Sequence, residues 1–211
     1  MSRESMLATI RAAVKDATAT PNPRRYAVHG DHAPGSDFVL ELLVDRLIDY
    51  RAAVRRVAET ELATAVSQAL SSSTSVVVPP GLAPAVLAAV HTDGRTVHTD
   101  GVPEPLSADQ LDRIDAVVTG AKVAIAVTGT IILDAGADQG RRAITLIPDR
   151  HLVILRADQI VETVPEGIAL LNPTAPLTMI SGPSATSDIE LERVEGVHGP
   201  RNLEVIIVET P

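Results

Sequence analysis

The sequence predicts an α/β fold in which a mostly parallel sheet is covered on both faces and a smaller portion is antiparallel. Segments with helical spacing of apolar residues alternate with short apolar runs along most of the chain. Many of these runs are apolar at every position, which is typical of parallel strands buried on both faces. The runs between residues 123 and 155 follow one another without helix-length spacers, which predicts an antiparallel hairpin there.

The front of the chain, residues 1–37, is predicted to be an N-terminal helix and a flexible linker ahead of the main domain, residues 38–211. Apolar residues recur at helical spacing within residues 2–17, and Ser2 is placed to cap this amphipathic helix, a candidate docking arm. Residues 18–37 contain three prolines and two glycines and show no periodicity. We therefore expect the front part to be dispensable for folding.

A long covering helix is predicted over residues 38–57. Its apolar residues are spaced alternately three and four apart, which places them along one side of a helix. They are Leu40, Leu43, Leu47, Tyr50, Val54 and Val57. This side is expected either to pack on the domain's own sheet or to contribute to a dimer interface.

The later elements follow from the same patterns. Helices are predicted at residues 61–70, at 83–91 and after Ser107, whose hydroxyl is placed to cap the helix. Apolar runs with strand character lie at 75–78, 96–98, 116–118, 123–127, 131–133, 144–147, 152–155, 176–180 and 205–208. Asp158 and Glu162, four residues apart after Arg156, indicate the start of another helix.

Composition limits the function. The 211 residues are 45% hydrophobic and 21% charged, which is enough for one sizeable core and an appendage. Lysine and arginine number 18 against 27 acidic residues, and two tyrosines and one phenylalanine are the aromatic residues present. A nucleic-acid partner is not expected, because it would require a basic face and stacking platforms.

Cysteine is absent, so disulfides, thiolate nucleophiles and cysteine-ligated iron–sulfur clusters are excluded within these 211 residues. No run reaches the roughly 18 apolar residues of a membrane span, so we expect a cytoplasmic protein without membrane insertion. His29, Asp31 and His32 lie too close together in the linker to hold a metal with fixed geometry, and no metal site is expected.

Five ordered sequence blocks carry a family resemblance. They are Thr128–Asp134, Gln139–Arg142, Pro148–His151, Arg156–Val161 and Ser181–Glu190, and Glu195–Arg201 extends the match. By their order and spacing the chain resembles the LUD-domain family, in its lactate utilization protein C branch, over roughly residues 40–208. The resemblance implies a three-layer α/β/α sandwich similar to the NagB/RpiA/CoA-transferase fold.

The resemblance also implies a place in an L-lactate utilization system that oxidises lactate to pyruvate. The chain would be a non-redox, small-anion-binding subunit without a cofactor of its own, and iron–sulfur clusters would lie on partner proteins. Homo-oligomerisation, and whether this chain catalyses a step, stay open. The alternative is a free-standing CoA-transferase-like or cyclo-ligase-like enzyme acting on a carboxylate or an acyl-CoA.

Two features bear on that alternative. Members of the family often carry an acidic residue directly before the Thr-Gly-Thr sequence, whereas this chain has Val127, which weakens an acyl-transfer interpretation. Lys15 and Lys122 are the two lysines and both lie outside the motifs, so a Schiff-base mechanism is not supported. Walker and Rossmann glycine motifs do not occur in the sequence.

The candidate ligand-binding residues combine small hydroxyl side chains, glycines and two arginines. They are Thr128, Gly129, Thr130, Arg141, Arg142, Ser181, Gly182, Ser184 and Thr186. The two arginines are candidates for a bidentate grip on a carboxylate or phosphate, and the alternative is that they are surface charges. If the Thr-Gly-Thr segment does not bind a ligand, it is a plain hairpin turn, and the corresponding alternative for the serine-rich segment is a solvated turn.

Asp188 and His198 are the candidate catalytic residues. Asp188 lies among hydrogen-bond donors, so we expect it to be ionised and to orient His198 or a substrate hydroxyl. His198 lies between Gly196 and Gly199, where its ring would face a cleft and titrate. The segments 128–130 and 181–188 both follow apolar strands, so they are expected to lie close together at the carboxyl ends of those strands.

Overall fold

The computed structural model describes residues 2–17, 26–186, 194–195 and 199–209. The helices are α1 (Arg3–Ala13), α2 (Asp37–Asp49), α3 (Leu62–Ala69), α4 (Pro84–Val90), α5 (Ala108–Leu111) and α6 (Val164–Ala169). The strands are β1 (Ala53–Ala58), β2 (Ser75–Val78), β3 (Thr96–Thr99), β4 (Ala116–Thr119), β5 (Val123–Ile125), β6 (Thr130–Leu133), β7 (Arg150–Arg156), β8 (Ile160–Val161), β9 (Thr178–Ile180), β10 (Ala185–Thr186), β11 (Val194–Glu195) and β12 (Asn202–Glu209). Short 3₁₀ turns lie at Glu59–Glu61, Thr92–Gly94, Arg142–Thr145 and Ala157–Gln159.

A six-stranded sheet forms the centre, with strand order β1-β12-β7-β4-β2-β3 and every neighbouring pair parallel. β7 and β12 are adjacent interior strands and are buried over nearly their whole length. Strands of this kind are apolar at every position because both faces are covered, which is why the continuous apolar runs predicted them.

Different layers cover the two faces of this sheet. On one face, α3 and α4 pack against side chains such as Val118, Leu152 and Ile206. On the other, α2 and a second sheet pack against the alternate side chains of the same strands, including Val153 and Val205. The α/β class, with a parallel sheet flanked by helices, is confirmed.

The second sheet has four strands in the order β8-β5-β6-β9. β5 and β6 form an antiparallel hairpin, β9 pairs antiparallel with the outer side of β6, and β8 pairs parallel with β5. This is the antiparallel portion that the crowded apolar runs predicted. α6 closes its outer face, where Gly167 packs against Ile125 so closely that a Cβ would lie 2.6 Å from that side chain.

The predicted helix over residues 38–57 is wrong in its second half. α2 ends at Asp49, Arg51 adopts a positive φ of 68°, and residues 53–58 form β1. Val54 and Val57 continue the helical spacing of α2, but their backbone pairs with β12 along the sheet edge. Tertiary pairing thus overrides the periodicity. α2 itself buries its apolar side on the domain's own sheet, one of the two expected outcomes.

Three other local predictions are also wrong. Residues 144–147 are not a strand, because a 3₁₀ turn occupies 142–145. The strand predicted to be buried at 176–180 is shorter, and Met179 is 56% exposed because β9 lies at the sheet edge. Residues 158–162 do not start a helix, since a 3₁₀ turn leads into β8.

The N-terminal helix is confirmed, with Ser2 as its cap: the Ser2 hydroxyl accepts a hydrogen bond from the Ser5 N–H. None of the residues of α1 is buried. Part of the predicted linker is anchored, because the Gly35 N–H donates to the Ile160 carbonyl and the His32 N–H donates to Glu162. The division at residues 37 and 38 stays a prediction, but fixed structure begins before it.

Candidate functional site

A cavity of about 230 Å³ opens beside the amino-terminal ends of β7 and β12. One wall is β9 with the residues that follow it, 181–184. The opposite side contains the 3₁₀ turn at 142–145 and His151, the second residue of β7. We call this space the β9 cavity. It lies at the amino edge of the central sheet and, as predicted for the serine-rich segment, at the carboxyl end of the strand that this segment follows, β9.

The two motif segments meet at the wall of this cavity. The hydroxyls of Thr130 and Ser181 lie 2.9 Å apart, and the Thr128 hydroxyl donates to Thr130 Oγ1 at 2.8 Å. The Thr130–Ser181 pair follows from strand geometry, since β9 is hydrogen-bonded to β6 and Ile131 lies opposite Ile180, whereas the Thr128–Thr130 pair is local to the β5–β6 turn. The result is a chain of three hydroxyls that ends at a cavity-lining serine.

Two glycines allow these segments to pack on the end of α2. Gly129 has φ 59° in the β5–β6 turn, and Gly182 has φ 87° after β9. A Cβ on Gly129 would lie 2.8 Å from the Cβ of Arg46, and one on Gly182 would lie 2.6 Å from the Cβ of Tyr50. Other residues would therefore be strained at both positions and would push the loops away from the helix. The Thr-Gly-Thr segment is thus a hairpin turn and also part of the cavity's support.

The arginine pair separates. Arg141 grips Asp100, with Nε–Oδ2 at 2.7 Å and Nη2–Oδ1 at 2.9 Å, and it also donates to the Leu106 carbonyl. Arg142 lines the β9 cavity, where its Nη1 donates to the carbonyl and hydroxyl of Thr145. The bidentate geometry predicted for a ligand is therefore used within the protein by Arg141, and Arg142 is the arginine at the cavity.

Arg142 brings a positive charge to a wall rich in hydroxyls. Partial burial lowers its pKa, but a guanidinium stays protonated at neutral pH because its ordinary pKa is so high. Within the described residues, Nη1 is the guanidinium nitrogen that makes hydrogen bonds, so Nε and Nη2 can serve a ligand. Ser181 and Ser184 line the same space.

His151 is a neutral group at the cavity. Its side chain is buried, its Nε2 lies 2.8 Å from the Thr119 hydroxyl, and burial, assisted by the nearby charge of Arg142, lowers its pKa to about 3. The ring lines the cavity, and Nδ1 makes no hydrogen bond to a residue that the structure describes. A neutral imidazole can accept or donate one hydrogen bond to a ligand there.

Sequence reasoning did not place His151 among the candidate site residues and missed this role. The signal was present in the strand pattern, because His151 alternates with Val153 and Leu155 on the side of β7 that faces the second sheet. A histidine on the buried face of a strand is expected to be neutral.

The remaining predicted site residues are only partly described. Thr186 lies in β10, which pairs with β11, and its backbone is the part that the structure describes. Asp188 and His198 lie outside the described residues, so their predicted roles stay predictions. The Ser184 N–H donates to the Pro200 carbonyl at 2.9 Å, which fixes the serine segment to the start of β12.

Two further features are absent from the described ranges. No group of three or more histidine, aspartate or glutamate side chains there is arranged to hold a metal ion. None of the described helices is both long enough and apolar enough to cross a membrane.

Comparison with known proteins gives concordant matches. The sequence profile of the LUD domain matches residues 41–208. A lactate utilization protein C from Deinococcus radiodurans is 52% identical over 174 residues, which cover 81% of this chain and 79% of that protein. One from Bacillus licheniformis is 31% identical over 101 residues, or 44% of this chain and 41% of that protein. A crystal structure of a DUF162 family protein from Deinococcus radiodurans has a TM-score of 0.69 at 46% identity, and the match covers 81% of this chain and 96% of that one.

Proposed function

This chain belongs to the LUD domain family, as its sequence blocks predicted, and from that membership and the β9 cavity we propose that it is a small-carboxylate-binding component of L-lactate utilization. The names of its relatives supply the pathway. The observation that supports the ligand class is the cavity itself, where one guanidinium, one neutral imidazole and several hydroxyls line a space of about 230 Å³.

Each group has a role toward a 2-hydroxy or 2-oxo carboxylate. Arg142 holds the carboxylate through Nε and Nη2, because a guanidinium presents paired N–H donors to two oxygens. His151 and Ser181 face the rest of the molecule and hydrogen-bond the oxygen on its second carbon. In a protein of net charge −9, such a local positive group is what draws a small anion.

The redox step is assigned to partner proteins. The 211 residues contain no cysteine, so they offer no thiolate ligand for an iron–sulfur cluster. We propose that iron–sulfur proteins of the same system oxidise lactate and that this chain binds the carboxylate without a redox group of its own.

Calorimetric titration of L-lactate, pyruvate and phosphate into the protein tests the ligand class. Arg142→Gln should weaken binding of a carboxylate about ten- to hundredfold, because it removes a charged hydrogen-bond contact of roughly 1.5–3 kcal/mol. Arg113→Gln is the matched control, since Arg113 is exposed on another surface and its loss should leave the affinity unchanged. If wild type binds none of the three anions, or if both variants bind as wild type does, the cavity is not a carboxylate site.

The pathway assignment is tested separately in the source organism. Deletion of the gene should abolish growth on L-lactate but not on glucose, and affinity-tagged protein from lactate-grown cells should recover iron–sulfur proteins. Normal growth of the deletion strain on L-lactate would refute the pathway role whatever the calorimetry shows.

A further inference from the structure

The polar side chains of the β9 cavity differ in how freely they can exchange the roles of hydrogen-bond donor and acceptor. The Arg142 guanidinium can only donate. No carboxylate or amide side chain is among the described residues of the cavity wall, so a fixed side-chain acceptor is absent from that part of it. The roles of His151 and Ser181 are set by the hydroxyl groups that lie behind them.

Thr119, the last residue of β4, determines which nitrogen of His151 carries the proton. Its hydroxyl is buried, and its one side-chain hydrogen bond among the described residues joins it to His151 Nε2 at 2.8 Å. A buried hydroxyl proton without an acceptor is costly, so this proton is donated to Nε2. Because the imidazole is neutral, its own proton then lies on Nδ1.

The Nδ1–H group of His151 is open to the cavity. Nδ1 makes no hydrogen bond to a described residue, yet it is not one of the fully buried side-chain atoms that lack a hydrogen bond, which are Ser36 Oγ and Glu204 Oε1. It therefore retains accessible surface, and the cavity is the space that the ring lines. His151 is thus a fixed donor toward a ligand.

The chain of three hydroxyls gives Ser181 the same polarity. The Thr128 hydroxyl donates to Thr130 Oγ1 at 2.8 Å, so the Thr130 proton is donated elsewhere. Its two possible acceptors are the Thr128 carbonyl at 3.4 Å and Ser181 Oγ at 2.9 Å, and only the second distance is usual for an O–H···O hydrogen bond. Each donation also strengthens the next one. The Ser181 proton has no acceptor among the described residues and is left for a ligand.

Three donors therefore converge on one small space: the Arg142 guanidinium, His151 Nδ1–H and the Ser181 hydroxyl. The hydroxyls of Thr178 and Ser184 can donate or accept and favour neither kind of ligand. A 2-oxo carboxylate offers only acceptor oxygens and matches the three donors. A 2-hydroxy carboxylate brings one proton more than these groups can accept, because its donation to Ser181 would leave the Ser181 proton unpaired.

We propose that the β9 cavity selects 2-oxo over 2-hydroxy carboxylates and so binds pyruvate in preference to L-lactate. Thr119 and Thr130 are the positioning residues, because they fix the donor roles of His151 and Ser181. This inference rests on the proposed function and adds the oxidation state of the ligand. It makes the chain a binder of the product of lactate oxidation rather than of its substrate.

Calorimetric titration of pyruvate and of L-lactate into the full-length protein measures this selectivity. Pyruvate should bind at least about fivefold more tightly, the effect expected of one unsatisfied donor. Thr130→Val leaves Ser181 free to rotate and to accept, so the ratio of the two affinities should fall toward one. Thr130→Ser should keep the wild-type ratio, and so should the matched control Thr96→Val on an exposed residue of β3. A merely structural role of Thr130 would weaken both ligands alike and leave their ratio unchanged.

NMR of the protein labelled with ¹⁵N-histidine tests the tautomer without a ligand. The chain has six histidines, and the His151 signals are identified by their loss in His151→Gln. The nitrogen shifts should show the proton of His151 on Nδ1 at neutral pH. A proton on Nε2, or L-lactate bound as tightly as pyruvate, would overturn this inference and leave the carboxylate site standing. If wild type binds neither anion, the proposed function is refuted and the selectivity with it.

Discussion

Arg141→Gln should destabilise the protein without affecting ligand binding, although Arg141 is the neighbour of the proposed ligand-binding Arg142. Arg141 holds the buried Asp100 through two hydrogen bonds of 2.7 and 2.9 Å. Burial alone would raise the pKa of Asp100, but the hydrogen bonds from Arg141 and from the Leu106 N–H outweigh it, so this pKa lies below its ordinary value. The ionised carboxylate is therefore a fixed part of the fold.

The expected loss follows from these contacts. Removing a buried partner of an ion pair can cost about 3–5 kcal/mol, but the Arg141 side chain is 40% exposed, so solvent screens part of the interaction. We expect about 1.5–3 kcal/mol, the range for hydrogen bonds to charged groups. For a chain of this length that corresponds to a fall in Tm of roughly 3–12 °C.

Urea unfolding followed by far-UV circular dichroism measures this loss, since the sequence has no tryptophan for fluorescence. The comparison uses Arg141→Gln, Asp100→Asn and the double variant, which together isolate the coupling energy of the pair. A carboxyl with a lowered folded-state pKa stabilises the fold above its ordinary pKa, and this stabilisation is lost as pH falls through the folded-state value. The difference between wild type and Arg141→Gln should therefore shrink below about pH 4. A coupling energy near zero, or lost ligand affinity at unchanged stability, would refute the structural role of Arg141.

Three further predictions concern the stability and local opening of the fold. Gly81→Ala should lower the free energy of unfolding by about 1–3 kcal/mol, seen as a lower urea midpoint at constant m-value, because the new Cβ would lie 2.6 Å from the Ala137 carbonyl carbon; an unchanged midpoint would contradict that packing. Because the pKa of His151 is lowered in the folded protein, the unfolded chain takes up a proton below about pH 6.5 that the folded protein does not. The free energy of unfolding should therefore decrease as the pH is lowered below about 6.5. His151→Gln should flatten this dependence by up to about 1.4 kcal/mol per pH unit in urea titrations at pH 4.5–6, and parallel slopes would argue against a neutral imidazole. Hydrogen bonds from the His32 N–H and ring lower the pKa of Glu162. Glu162→Ala, or a pH below about 4, should therefore speed amide hydrogen exchange at His32, measured by NMR. Unaltered exchange would mean that other contacts hold this segment.

Local patterns predicted the buried strands well because burial on both faces leaves a direct mark on the sequence. Ser75–Val78 matches its prediction at both ends, and Val205–Val208 lies within β12. Local patterns failed where tertiary pairing decides the secondary structure, since Val54 and Val57 fit a helical stripe as well as an edge strand. Spacing alone cannot distinguish these outcomes, and the positive φ of Arg51 that ends the helical region has no reliable signature in an arginine.

The site was predictable as a set of segments but not as a set of contacts. Small hydroxyl and glycine residues after apolar strands indicated that 128–130 and 181–188 would meet, and strand pairing places Thr130 beside Ser181. The position of the cavity was not predictable in this way. It depends on β9 adding to the far side of β6, a long-range pairing that the local sequence does not specify.

Arg141 and Arg142 show how backbone geometry gives adjacent identical side chains different partners. Arg141 is extended, with φ −78° and ψ 155°, and caps the 3₁₀ turn that begins with Arg142. Its side chain reaches the end of β3 and neutralises Asp100, so the arginine contributes no net charge to any ligand. Arg142, one residue later and inside the turn, faces the β9 cavity with its charge unmatched by a carboxylate among its described contacts. In the proposed carboxylate site, the attraction for a small anion thus depends on which side of one turn a guanidinium lies.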